Sequence, residues 1–195
     1  MIRNLTRAIL FTLVLAVLTG LVYPLVMTGF AQVAFHSKAN GSVVTVNGSD
    51  VGSAFIGQLW KGPQWFYGRP SVIDYDASTS QGSNLGPLSK TLATDIEQRA
   101  KAIIALEGPY HPGLTTAQIP VDLLTASSSG LDPHMTPAAA AFQAPRIAAV
   151  RHIPLSQVMD LIHQNTSSKT LGFLGEPRVN VLELNLALQN LTGGN

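Results

Sequence analysis

Residues 8–35 read AILFTLVLAVLTGLVYPLVMTGFAQVAF, a run of 28 residues without an Asp, Glu, Lys or Arg. A helix needs about 20 apolar residues to cross the hydrocarbon core of a bilayer, so this run is long enough to span it. Arg3 and Arg7 precede the run, and the first positive charge after it is Lys38. Because positively charged flanks stay in the cytoplasm, we expect a cytoplasmic N-terminus and an exported C-terminal part.

A cleaved signal peptide is the alternative interpretation of this segment. The apolar part of a signal peptide is usually about 7–15 residues long and ends at a small-x-small cleavage site. Here the run is longer, and no clear Ala-x-Ala pattern closes it. We therefore predict a retained transmembrane anchor at residues 1–35, kinked at Pro24, which removes a helical hydrogen bond. Residues 36–195 are predicted to form one extracytoplasmic domain.

Composition and charge exclude several classes of protein. Charged residues make up 12% of the chain, about half the usual fraction of a soluble domain. Without Arg3 and Arg7, ten basic and eleven acidic side chains remain, whereas a nucleic-acid-binding protein shows a basic patch or stripe. We expect no nucleic-acid partner. The chain has no cysteine, which excludes disulfides and cysteine-based metal sites.

The segment after the anchor has the pattern of a β-hairpin followed by an aromatic stretch. Residues 42–46 and 51–57 flank Asn47-Gly48, and Asn-Gly is typical of a tight hairpin turn, in which both central residues need a positive φ. Residues 60–71, WKGPQWFYGRPS, contain both tryptophans of the protein. We call residues 60–71 the aromatic segment.

Apolar periodicity predicts four helices in the remainder of the chain. They cover residues 88–107, 137–150 and 155–163 and a last helix opened by Asn180, whose spacing to Glu183 is that of a capping box. Residues 178–181 alternate like a strand. The apolar positions expected to face inward on the first and last helices are Leu88, Leu92, Ile96, Ile103, Ile104, Leu184, Leu188 and Leu191. Strands and helices mix without βαβ regularity, so we predict an α+β domain.

The sequence contains no recognisable catalytic motif. Phosphate-binding glycine loops, a G-x-S-x-G elbow and an H-E-x-x-H zinc motif are absent. The five histidines are scattered through the chain, so we expect no metal site and no catalytic residues. Asp74 and Asp76 fit a weak cation site or, more simply, a turn. These absences favour an accessory subunit over an enzyme.

Arg69 is the most conspicuous charge of the aromatic segment, since it lies between Gly68 and Pro70 beside several aromatic residues. Exposed aromatic residues next to an arginine often anchor protein interfaces, so Trp65, Tyr67 and Arg69 are candidate interface residues. The alternative is structural, with Arg69 stacked on Trp65 or Tyr67 and ordering the segment.

A set of short segments gives the chain a specific resemblance that extends nearly from end to end. They are residues 19–25 (TGLVYPL), 39–42 (ANGS), 52–58 (GSAFIGQ), 67–71 (YGRPS), 82–85 (GSNL), 124–132 (LTASSSGLD), 143–147 (QAPRI) and 179–185 (VNVLELN). In this order and spacing the chain resembles the C subunits of the bacterial potassium-transporting Kdp ATPase, the KdpC family. Small departures occur at Gln81, where the family often has Gly, and at Pro133-His134, where it usually has polar residues.

The resemblance implies a non-catalytic subunit of the cell inner membrane, in complex with a channel-like potassium-binding subunit and a P-type ATPase subunit. The family has been described as a catalytic chaperone that raises the ATP affinity of the ATPase subunit, so ATP is a possible ligand shared with that subunit and no tightly bound cofactor is implied. Gln143 is then the candidate nucleotide-binding residue, because its amide can pair with the adenine edge.

The predicted topology conflicts with ATP contact, because a bilayer core of about 30 Å would separate an exported Gln143 from cytosolic nucleotide. Two hypotheses remain open. In one, the domain binds ATP together with the pump subunit. In the other, it caps the external potassium entrance and clamps the subunits together, and Gln143→Ala costs only about 0.5–1.5 kcal/mol of stability.

Overall fold

The protein is described here by a computed structural model covering residues 1–191. It divides into two compact units, Met1–Val51 and Gly52–Asn195. The mixture of helices and short strands in the described part confirms the predicted mixed helix-and-sheet class. The predicted boundary at residue 35 concerns the position of the membrane and stays a prediction.

The first unit begins with one long helix, Ile2–Ala34, which is apolar and long enough to cross a membrane. It consists of α1 (Ile2–Val17), a π-helical turn (Leu18–Val22) and α2 (Tyr23–Ala34). The π turn ends two residues before Pro24, where the sequence predicts a kink; π-helix is rare and occurs mostly as single turns inside α-helices, as here. By length and composition, this is the only such helix among residues 1–191.

A short helix and a hairpin complete the first unit. α3 (His36–Ala39) precedes β1 (Val43–Val46), which pairs with β2 (Ser49–Ser53) in a two-stranded sheet. Asn47 and Gly48 form the turn, with φ values of 50° and 79°. The predicted turn is therefore correct. The predicted return strand at residues 51–57 is wrong in its bounds, because pairing starts as soon as the two-residue turn ends.

The second unit contains five α-helices and a three-stranded sheet among its described residues. The helices are α4 (Lys90–Glu107), α5 (Val121–Leu124), α6 (Pro137–Arg151), α7 (Leu155–Gln164) and α8 (Val181–Leu191), with 3-10 turns at Gly108–Tyr110 and Thr116–Gln118. The strands are β3 (His134–Met135), β4 (Thr166–Ser167) and β5 (Arg178–Asn180), in the antiparallel order β3-β5-β4.

Helix ends follow local capping chemistry. Ser89 caps α4 by accepting a hydrogen bond from the Leu92 N–H, and Thr136 caps α6 by accepting one from the Ala139 N–H. Asn180 Oδ1 accepts the Glu183 N–H at 3.1 Å, as the predicted cap requires. Helix α6 continues through Pro145, which lies inside it.

The core of the second unit surrounds α6, which contacts α7 and β5. Its buried residues include alanines, and their small side chains allow neighbouring elements to approach closely. The fully or nearly fully buried apolar residues of the core include Phe66, Ala139, Ala140, Ala144, Ile147, Val158, Val179, Leu184 and Leu188. Two inward predictions are wrong: Leu88 is 97% exposed because α4 begins after it, and Leu191 is 45% exposed at the last described residue.

Candidate functional site

The backbone of the aromatic segment is held by side-chain amides from two helices. Phe66, completely buried, donates its N–H to Asn185 Oδ1 of α8 at 2.9 Å, and Asn185 Nδ2 donates to the Phe66 carbonyl at 3.0 Å. An amide side chain that bonds both backbone groups of one residue replaces a neighbouring β-strand. The backbone N–H and carbonyl of Phe66 are therefore paired although the segment does not belong to a sheet.

Gln143 of α6 does the same for the next residue. Tyr67 donates its N–H to Gln143 Oε1 at 2.8 Å, and Gln143 Nε2 donates to the Tyr67 carbonyl at 3.0 Å. Gln143 is 1% exposed; its Oε1 also accepts from Arg146 Nη2 (3.0 Å), and its Nε2 also donates to the Ala139 carbonyl (3.3 Å) and contacts Met135 Sδ (3.6 Å). A glutamine amide offers two donors and two lone pairs, and all four are used here.

Arg146, one turn further along α6, is completely buried and joins the aromatic segment to α4. Its Nε donates to Glu107 Oε1 at 2.8 Å, and Nη1 donates to the carbonyls of Pro63 and, at 3.0 Å, Trp65. A buried charge is tolerated only when it is paired and hydrogen-bonded, and this guanidinium satisfies both conditions. Burial raises the pKa of Glu107, an effect that neighbouring Arg146 opposes.

Two guanidinium groups also stack on rings of the aromatic segment. Arg151 lies 4.5 Å from the centroid of Trp65 and donates to the Gln64 carbonyl at 2.9 Å, and Arg146 lies 5.1 Å from the centroid of Tyr67. Among the described residues these are the arginines that stack on aromatic rings, so the stacking considered for Arg69 is wrong. Arg146 and Arg151 both belong to α6, the helix that packs against the aromatic segment.

Arg69 belongs to a second, looser cluster. Its guanidinium is 3.4 Å from both Asp132 Oδ2 and the Ala126 carbonyl, and its own carbonyl accepts the Tyr75 hydroxyl at 2.5 Å. Gly68 is required beside it, because a Cβ there would lie 2.8 Å from the Tyr75 hydroxyl. Trp65, Tyr67 and Arg69 are half-buried in their own domain. The premise that they are exposed is wrong, and their role at an interface stays a prediction.

We expect the stability of the protein to fall between pH 10 and about 12 through Tyr75. Burial, followed by the charge of Asp132, raises the pKa of Tyr75 from 10.0 to about 12. A raised pKa in the folded state adds stability that is complete below pH 10 and is lost as the pH rises to about 12, in total about 2–3 kcal/mol.

Ultraviolet titration of the phenolates, with urea unfolding at several alkaline pH values, measures this effect. Tyr75→Phe should remove the phenol that titrates near pH 12 and make the fall in stability shallower, while Tyr110→Phe serves as the control. An unchanged titration near pH 12 in Tyr75→Phe would contradict the prediction.

Residues 1–191 contain no group of three or more His, Asp or Glu side chains that could hold a metal. Asp76 Oδ1 accepts the Ser78 N–H at 2.9 Å, and Asp74 has a φ of 51°, as expected of turn residues.

Sequence reasoning did not find Arg146, Glu107 or Asn185. The signal available was a charged residue inside an alanine-rich helix, three positions after Gln143 and hence on the same face.

Comparison with known proteins shows which family this chain belongs to. The family described as K+-transporting ATPase, c chain, matches residues 5–190. The chain is 49% identical over 191 residues to the potassium-transporting ATPase KdpC subunit of Acidobacterium capsulatum, covering 97% of this chain and 99% of that protein.

Two further relatives carry the same description. The protein of Variovorax paradoxus is 51% identical over 183 residues, or 92% of each chain. The protein of Methylococcus capsulatus is 46% identical over 194 residues, covering 98% of this chain and all of that protein. With a match that extends over almost the whole sequence, the chain belongs to the KdpC family, the c chain of the K+-transporting ATPase.

Proposed function

We propose that the chain is a non-catalytic accessory subunit that caps the external potassium entrance and clamps the subunits of a potassium-transporting ATPase. Its partners are a channel-like potassium-binding subunit and a P-type ATPase subunit. The apolar helix Ile2–Ala34 anchors it in the inner membrane, with the remainder of the chain outside the cytoplasm. The observation that carries the proposal is the complete use of the Gln143 amide inside the domain.

An adenine that paired with Gln143 would have to replace bonds that already exist. Tyr67 occupies one donor and one lone pair of the amide, and Arg146 and Ala139 occupy the others. Displacing the side chain would leave the buried Tyr67 backbone unpaired, at about 1–3 kcal/mol for each group. Gln143 is therefore better suited to hold the aromatic segment than to bind nucleotide.

The charge pattern around the apolar helix is the second support for the proposal. Arg3 and Arg7 lie before the apolar helix and favour a cytoplasmic N-terminus. A domain on the outer face of the membrane lies on the side from which potassium enters an uptake system. The bilayer separates such a domain from cytosolic ATP. Within that domain, Trp65, Tyr67 and Arg69 keep a partly exposed surface that can contact a partner subunit.

Fusion of reporters after Asn195 tests the topology. Alkaline phosphatase folds only in the exported state and green fluorescent protein fluoresces only when it remains in the cytoplasm of a bacterial host. We expect phosphatase-positive, non-fluorescent fusions. An Arg3→Glu, Arg7→Glu variant, which removes the positive flank, is the control and should lower the phosphatase signal. Fluorescent, phosphatase-negative fusions of the unmodified chain would overturn the assignment.

Gln143→Ala separates the cap from a nucleotide site. In the purified three-subunit complex, we expect the Michaelis constant for ATP to stay within about twofold of that of the unmodified complex. Direct adenine contact predicts instead a rise of about tenfold for each 1.4 kcal/mol of lost binding energy.

Asn185→Ala is the matched control for this measurement. It removes the equivalent pair of backbone bonds at Phe66 and has no proposed nucleotide role. A large rise in the ATP constant for Gln143→Ala but not for Asn185→Ala would restore the nucleotide hypothesis. Equal, small changes in both variants support the cap.

A further inference from the structure

The connection between β4 and β5 contains a short turn whose backbone is closed by hydrogen bonds. Thr170 donates its N–H to the Leu174 carbonyl at 2.9 Å, and Leu174 donates its N–H to the Thr170 carbonyl, also at 2.9 Å. Gly172 donates its N–H to the Lys169 carbonyl at 3.1 Å. We call residues 170–174 the apolar tip. These bonds give the apolar tip a defined backbone shape.

The apolar tip exposes three large apolar side chains. Leu171 is 79% exposed, Phe173 71% and Leu174 49%. Elsewhere in the described part of the second unit, the exposed large hydrophobic residues lie at least four positions apart along the sequence. Single exposed apolar residues are normal on a protein surface, whereas a contiguous group of them marks a binding surface. The apolar tip is therefore a candidate contact site.

The backbone of Leu171 supports a role of the apolar tip in binding. Leu171 has a left-handed conformation with a φ of 54°, and Gly172, which follows it, has a φ of 82°. A large side chain enters this region only at a cost in free energy, which Gly or Asn would avoid. Leu171 gains no burial in return. Residues in such conformations cluster at functional sites.

The size of the apolar tip favours a bilayer over a protein as its partner. A stable protein interface buries about 800 Å² on each partner and takes about 20–30 residues from each side, far more than three side chains supply. Insertion into the lipid interface has no such threshold, because its strength scales with the apolar area that leaves water.

A bilayer is also the surface that lies within reach of the second unit. The helix Ile2–Ala34 is about 50 Å long, comparable with a bilayer of about 40–45 Å including its headgroups. Residues 35–51, which link this helix to the second unit, span at most about 60 Å when extended, and α3 and the hairpin shorten the link. A contact between two bodies that are tethered in this way forms at a high effective concentration and needs little binding energy of its own.

The charges at the base of the apolar tip suit a layer of lipid headgroups. Lys169 Nζ lies 3.1 Å from Glu176 Oε1, and Arg178 is exposed two residues further on. The base therefore carries two cations and one anion. Long Lys and Arg side chains can hold their charges at the headgroups while apolar neighbours enter the acyl region. Anionic lipids strengthen such binding.

We propose that the apolar tip inserts Leu171, Phe173 and Leu174 into the lipid interface of the membrane that holds the chain's own helix. This contact orients the second unit on the bilayer surface. The unfolded chain stays tethered and can insert the same side chains, so the contact does not add to the free energy of unfolding. The inference rests on the anchoring of the helix Ile2–Ala34 proposed above, and it holds on either face of the membrane.

Spin labelling of the full chain in nanodiscs of phosphatidylcholine and phosphatidylglycerol tests the proposal. The chain has no cysteine, so each single Cys substitution carries the only label. Thr170→Cys labels the apolar tip, Thr116→Cys labels an exposed 3-10 turn of the second unit, and Leu13→Cys labels the apolar helix. We expect the labels of Thr170→Cys and Leu13→Cys to collide more often with oxygen, which concentrates in the bilayer, than with a water-soluble nickel chelate. The label of Thr116→Cys should show the reverse.

The three labels separate a failure of this inference from a failure of the anchor. A label in water in Thr170→Cys, with the label of Leu13→Cys in the bilayer, would overturn the insertion and leave the anchor intact. A label in water in Leu13→Cys would overturn the anchor and this inference with it. If the label of Thr170→Cys is in water in the chain alone and becomes shielded only in the three-subunit complex, the apolar tip binds a protein and the proposal is wrong.

Substitutions in the apolar tip test which side chains insert. Leu171→Ser with Phe173→Ser should shift the insertion equilibrium of the Thr170→Cys chain toward water by at least about a hundredfold, because each lost side chain reduces it about tenfold or more. The matched control is Val121→Ser with Leu155→Ser, since Val121 and Leu155 are 71% and 45% exposed and lie outside the tip. We expect the control to keep the label in the bilayer. An unchanged label depth in the tip variant would refute the proposal.

Discussion

Replacing Arg146 by methionine should lower the free energy of unfolding by about 3–5 kcal/mol, since removing one partner of a buried ion pair leaves the other charge uncompensated. Arg146 and Glu107 are 0% and 2% exposed in their side chains, and their Nε–Oε1 distance is 2.8 Å. The substitution also leaves the carbonyls of Pro63 and Trp65 without this donor. Urea unfolding of the full chain in nanodiscs, followed by tryptophan emission, measures the loss.

The control is Lys101→Met, which breaks an exposed ion pair of α4. Lys101 and Glu97 are 2.7 Å apart, but their side chains are 73% and 66% exposed, and solvent screening leaves such pairs with little effect on stability. A double variant, Arg146→Met with Glu107→Met, should be more stable than Arg146→Met alone, because it removes the stranded carboxylate. If the double variant is no more stable, the uncompensated charge is not the source of the loss.

Phe66→Ala is the second substitution with a large expected effect, about 3–5 kcal/mol, because it opens a cavity in a core that relaxes only partly. Phe66 is completely buried, and the Asn185 amide holds its backbone in place, so the segment cannot move inward to fill the space. The same unfolding measurement applies. Since both tryptophans, Trp60 and Trp65, lie shortly before Phe66 in the sequence, their emission reports on this region.

Phe173→Ala provides the comparison for an exposed phenylalanine. Phe173 is 71% exposed, and we expect a change within about 0.5 kcal/mol. A loss below about 1 kcal/mol for Phe66→Ala would mean that the aromatic segment does not belong to the cooperative core. A loss of several kcal/mol shows that the segment and the helices around α6 unfold together.

Much of the secondary structure could be predicted because it depends on neighbouring residues. The Asn47-Gly48 turn, the Asn180 helix cap and the long apolar N-terminal helix all follow from a few adjacent side chains. The prediction for Leu88 failed because the apolar periodicity continues across Ser89, whereas the helix begins only after Ser89, its N-cap. The short strands β3 and β4 have two residues each and carry no periodic signal.

The sequence by itself determined the long apolar N-terminal helix, the mixed class, the positions of most helices and the family resemblance, since each is a local or ordered pattern. Only the tertiary structure decided how the aromatic segment is held. Asn185 meets Phe66 across 119 positions, Gln143 meets Tyr67 across 76, and Arg146 meets Glu107 across 39. Which residues form such pairs depends on which faces of the helices pack together. Burying a polar group without a partner is costly, but this cost acts only between residues that packing has already brought close.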